Sequence, residues 1–71
     1  MVTIATFPDL SAAYMLKAKL ESENIPAFIP DESTVLMDWA LINAIGGIRV
    51  QVPDEHAEQA RQLIADYKQP G

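Results

Sequence analysis

Apolar and polar side chains alternate most clearly at residues 48–52, where Ile48, Val50 and Val52 are separated by Arg49 and Gln51. A period of two sends the three branched side chains to one face of an extended chain and the two polar ones to the other. Gly46 and Gly47 lead into this segment and Pro53-Asp54 leads out, so the pattern predicts a strand with a turn at each end. It is read as the central strand of a small sheet. A first strand is predicted over residues 2–6, with Val2 and Ile4 toward the core and Phe7 extending it or turning inward before Pro8 ends it.

The period then changes to that of a helix. Ala13, Leu16 and Leu20 form one stripe over residues 10–23, with Ala12 at its margin and Asp9 or Ser11 as the N-cap. Asn24 is suited to a left-handed position after the last turn, Ile25 to packing back over it, and Pro26 to preventing continuation. Residues 27–29 (Ala-Phe-Ile) read as a short second strand with a proline at each end, as suits a sheet edge. At the other end of the chain, Asp54 is placed to cap a second helix that buries Ala57, Ala60, Leu63, Ile64 and Tyr67.

Residues 31–47 fit neither period. A polar turn, Asp31-Glu32-Ser33-Thr34, precedes a run that is apolar nearly all round from Val35 to Ile45. A helix capped by Ser33 and a strand through residues 40–45 are both open readings. Two helices on one side of a three-stranded sheet leave the other side bare, carrying Thr3, Ala5, Arg49, Gln51 and either Phe28 or its neighbours. The apolar run must then fold across that side or meet a neighbour. Leu36, Trp39, Leu41, Ile42 and Ile45, with Arg49, are the candidate interaction surface. Trp39 serves either as a plug for its own loop or as an anchor at a partner.

Seventy-one residues make one domain, 1–71, in which 31–47 is a long apolar loop or short helix insert. So small a core favours oligomerisation or a covering segment. The absence of cysteine removes disulfides and thiolate metal sites. Ten acidic residues against five scattered basic ones give a net charge of −5, which argues against nucleic acid and anionic membrane as partners. No signal peptide or spanning segment is read, so the cytoplasm is the expected location.

Reactive constellations are not assembled by the spacing. His56 lies beside Glu55 rather than three or four residues from it, so the two diverge on a helix, and neither a metal site nor a cofactor is expected. Ser11, Ser22 and Ser33 have no histidine partner in sequence. Gly46-Gly47 precedes a strand, unlike a phosphate loop, which opens a helix. Asp31, Glu32 and Asp38 suit turns and solvent, or an acidic notch with Arg49 opposite. An enzyme is not expected.

The run Leu20-Glu21-Ser22-Glu23-Asn24-Ile25-Pro26-Ala27 and the run Gly47-Ile48-Arg49-Val50-Gln51-Val52-Pro53 together resemble a small bacterial family described as "putative prokaryotic signal-transducing protein". Asn24 stands where that pattern usually has glycine. The resemblance extends over nearly the whole chain and implies a ferredoxin-like fold related to the GlnB-like group, with a role in signal transduction. Its matched positions are turns and core, and it supplies no catalytic residue. The long polar loop and basic phosphate-binding segment of the nitrogen-regulatory transducers are not seen here.

These readings combine into an α+β, ferredoxin-like β-α-β-β-α chain lacking its last strand. Its mixed three-stranded sheet has the order 1-3-2 and both helices on one face. The expected function is a non-enzymatic binding or regulatory module acting by protein contact, through 31–47 and the open edge of the first strand, with self-association its simplest form. The alternative is a small-molecule or nucleotide sensor in which 31–47 closes over a site lined by Arg49.

Overall fold

The computed structural model describes residues 1–38, 40, 42 and 46–68. In chain order they form β1 (Val2–Phe7), α1 (Leu10–Ser22), α2 (Glu32–Met37), β2 (Ile48–Val52), a single 3-10 turn (Asp54–His56) and α3 (Ala57–Lys68). Ile48, Val50 and Val52 are wholly buried and Arg49 is exposed, as their alternation requires. Ala13, Leu16 and Leu20 of α1 and Ala57, Ala60 and Ile64 of α3 close over them, joined by Ile25, Ala27 and Ile29. Burial of this apolar surface is the main driving force for folding.

Among the described residues the sheet has two antiparallel strands, not the three of the ferredoxin-like expectation. Residues 27–29 make only an isolated bridge, in which Phe28 and Gln51 exchange N–H···O bonds of 2.8 Å each. The next positions of that register are Pro26 opposite Pro53 and Pro30 opposite Arg49. Proline has no N–H, so three of the four bonds that would lengthen the ladder have no donor. The prolines read as marks of an edge strand prevent the strand itself.

A second departure lies in β1. Val2 and Thr3 face Val52 and Gln51, but the register slips at Ile4, and Ala5, Thr6 and Phe7 face Val50, Arg49 and Ile48. This bulge turns Ile4 and Ala5 toward the same side, and both pack on the core with Val2 and Phe7. Ala5, expected on the bare face, is therefore on the covered one. The bare face carries Thr3, Thr6, Arg49 and Gln51.

The ends of α1 follow local chemistry closely. The Asp9 carboxylate accepts the Ala12 N–H at 2.8 Å from an extended backbone. Asn24 has φ 64°, its N–H bonds Glu21 O, and the Ile25 N–H bonds Leu20 O, both at 3.0 Å. That pair of bonds is the Schellman arrangement, which asparagine supports almost as well as glycine. The entry to α3 differs from expectation. Asp54 makes no side-chain cap bond and instead begins the 3-10 turn closed by His56 N–H to Pro53 O at 2.9 Å. Tyr67, assigned to the buried stripe, is exposed, and Ile64 is the last residue of that stripe in the buried core.

Within 31–47, α2 begins at Glu32 and ends where the Asp38 N–H bonds Thr34 O at 2.9 Å. Ile42 is half-buried against the core, and its carbonyl accepts the Gly47 N–H at 2.9 Å. Gly47 has φ 106°, and a Cβ there would stand 2.6 Å from Thr6 Cγ2 and 3.2 Å from Phe7 O. Only glycine meets both demands.

Candidate interaction surface

On the bare side of the sheet, polar side chains bond one another. Gln51 Nε2 donates to Thr3 Oγ1 at 2.9 Å, across the strand pair that the register sets opposite. Phe28 extends the same row and is half exposed. Arg49 grips Asp31 with two parallel bonds, Nε to Oδ2 and Nη2 to Oδ1, each 3.0 Å. The planar guanidinium matches the carboxylate in this fork, which adds orientation as well as attraction. It also explains why Asp31, which precedes α2, makes no cap bond with its side chain. The bond to Asp31, aided by its charge, raises the Arg49 pKa further above its ordinary value.

A second contact holds the same end of α2. Tyr14 Oη, from α1, donates to Glu32 Oε2. This bond, with a smaller contribution from desolvation and from the neighbouring negative charge, raises the Tyr14 pKa above 10.0. Asp38 uses its carboxylate on the Ala40 N–H at 3.2 Å. The three carboxylates of the suggested acidic notch thus have three separate partners: Asp31 on Arg49, Glu32 on Tyr14 and Asp38 on Ala40.

The far end of α2 is different. Leu36 is 65% exposed and Met37 88%, although both are large and apolar. Of the surface residues chosen from sequence, Leu36 and Arg49 are exposed and Ile42 is half-buried; Trp39, Leu41 and Ile45 lie outside the described residues. Met37 is not among them, and Phe28, left open against its neighbours from sequence, is the one that faces out. The signal for Phe28 was its place between buried Ala27 and Ile29, which sends it to the opposite face.

A cleft of about 350 Å³ lies between the end of β1 and the turn into β2, lined by Thr6, Phe7, Pro8, Ile42, Gly46 and Gly47. Among the described residues that line it, the one side-chain polar group is the Thr6 hydroxyl. Arg49 faces Thr6 across the strands but does not line the cleft. Among the described residues, no three His, Asp or Glu side chains converge as metal ligands. No helix among them is long and apolar enough to cross a membrane.

The fold and this surface define a small α+β domain with an apolar helix end presented to solvent. Over residues 1–68 the chain matches the model of a family described as "Putative prokaryotic signal transducing protein", and it belongs to that family. The match carries no link to the GlnB-like group. No curated protein and no solved structure matches the chain.

Proposed function

We propose that this chain is a cytoplasmic, non-enzymatic regulatory module of signal transduction, acting by protein contact through α2 and the rest of the 31–47 segment. The exposure of Leu36 and Met37 carries this reading. Two adjacent apolar side chains left in water are a reserve of binding energy, each contributing about 1.5–3 kcal/mol when fully covered. The opposite end of the helix is tied to β2 through Arg49 and to α1 through Tyr14, so a partner meets a positioned surface. Membership of a family described as signal transducing supports the regulatory role.

Affinity capture from native extract with the wild-type chain and with a Leu36→Asp, Met37→Asp variant tests the proposal. Proteins bound by the wild type and lost by a variant of unchanged circular dichroism support it. Identical capture by the two chains counts against it. The sensor alternative is less well supported, because Arg49 already holds Asp31 and none of the described residues lining the 350 Å³ cleft is a cation.

A further inference from the structure

We infer that α2 is held by a two-point latch, Asp31 on Arg49 and Glu32 on Tyr14, and that it forms, docks and opens as one unit. The inference rests on the reading of the α2 end as a contact surface and adds how that surface is controlled. α2 has six residues, far fewer than the roughly 12–15 that an isolated helix needs to persist in water. None of its described side chains belongs to the buried core or packs against it. Residues on either side of it do: Ile29 is buried and Ile42 half-buried. α2 is thus a short strap slung between two anchors, and its described apolar side chains do nothing to fix it.

Its ties are polar. An aspartate at the start of a helix ordinarily turns its carboxylate onto the free N–H groups of the first turn, and a glutamate in that turn favours the same positive end. Here both carboxylates reach other elements instead. Asp31 makes no cap bond and lies in a fork with Arg49 of β2, 3.0 Å on each arm. Glu32 accepts from the Tyr14 hydroxyl of α1. Tyr14 stands on the outer side of α1 with Ser11, Met15, Ala18 and Ser22, an exposed strip without charge. Lys17 and Lys19, on its flanks, are paired with Glu21 and Glu23, so the phenol is the donor that α1 offers to Glu32. Local stabilisation of α2 is given up for ties to two neighbours, and the helix is firm only while it is docked.

The two ties act on one small rigid piece. They leave adjacent residues for different elements, so either alone lets α2 pivot and both together fix its direction, and with it Leu36 and Met37. A group on another molecule that draws Arg49 or Tyr14 away weakens the contact surface without touching either apolar side chain. That makes the latch a point of control.

Amide hydrogen exchange followed by NMR tests the latch at Asp38, whose N–H closes α2 on Thr34 O at 2.9 Å, at the end opposite the ties. In the wild type this amide should be protected. Tyr14→Phe and Arg49→Gln should each speed its exchange about two- to fivefold, the worth of an exposed charge-assisted contact, and together by the product of the two. Asp31→Ser with Glu32→Ala severs both ties from the α2 side while keeping a capping residue and a strong helix former. It should speed exchange as the first pair does, with the Ile25 amide at the end of α1 as slow as before.

An Asp38 amide without protection in the wild type overturns the inference, since nothing is then latched. So does a rate unmoved by either pair of substitutions, or a double variant no faster than the single ones, because the ties then do not share one opening. The same chains, with Leu36 and Met37 intact, separate this inference from the reading beneath it. Capture of the proteins that the wild type takes from native extract should fall in the chains carrying two substitutions. Faster exchange with full capture upholds the latch and removes the α2 end as the contact. Unmoved exchange removes the latch and leaves the test at Leu36 and Met37 to stand or fall alone.

Discussion

α1 and α3 cover the same side of the sheet and bury stripes of similar make, Ala13, Leu16 and Leu20 against Ala57, Ala60 and Ile64. Their outer sides differ. α3 exposes Glu58, Gln59, Arg61, Gln62 and Asp66, the polar face of an ordinary amphipathic helix. α1 moves its charges to the flanks and leaves an uncharged strip. Packing against the core therefore does not account for the outer face of α1, and the contrast with α3 isolates the residues that need another explanation.

The first way to break the comparison is at the inner stripes, where the two helices should respond alike in kind. Leu16→Ala should cost about 2–5 kcal/mol, because the side chain is 1% exposed and leaves a cavity. Ile64→Ala, at 8% exposure near the end of the packed stripe, should fall toward the lower end of that range. Urea denaturation of both variants measures the difference. An equal or larger loss for Ile64→Ala would mean that α3 holds the core more firmly than its burial implies.

The helix starts provide a sharper and smaller contrast. Asp9→Ala removes a side-chain bond to the backbone and should cost about 1 kcal/mol. Asp54→Ala removes no such bond from α3, only an exposed 2.9 Å ion pair with the Met1 ammonium, and should cost less, about 0.5 kcal/mol. The same denaturation curves decide it.

The smallest effect concerns Tyr14, which ties α1 to α2. Its folded pKa is raised, so the folded chain holds the phenolic proton more tightly than the unfolded chain. The resulting stabilisation is complete below the ordinary value of 10.0 and is lost as pH rises through the higher folded pKa. Stability of wild type relative to Tyr14→Phe should therefore fall as pH climbs past that value. A difference that stays flat through the phenol titration, followed by ultraviolet absorbance, would remove the Glu32 contact from the account.

Much of this architecture is written in short-range patterns. The alternation of β2, the stripe of α1 and the Asp9 and Asn24-Ile25-Pro26 signals each act within a few residues, and each is legible without coordinates. What was not legible depends on residues distant in the chain. The single-pair bridge at Phe28 requires Pro26 to meet Pro53, a coincidence of register. The bulge at Ile4 reverses where Ala5 points, and no local signal in Val2–Phe7 announces it. The candidate surface was legible in part: Leu36 and Arg49 were chosen for apolarity and charge, while Met37 and the outer strip of α1 need a helix orientation before they stand out.

The slipped register in β1 has a consequence for behaviour at high concentration. Gln51 turns its backbone groups toward Phe28, so Thr3 and Thr6, which face Gln51 and Arg49, turn theirs away from β2. Those two threonines are three residues apart, whereas a regular strand repeats every two. A stray extended chain drifting along this uncharged segment finds its hydrogen-bonding groups out of step, which discourages runaway sheet growth and fibre formation without spending a single charge on the task.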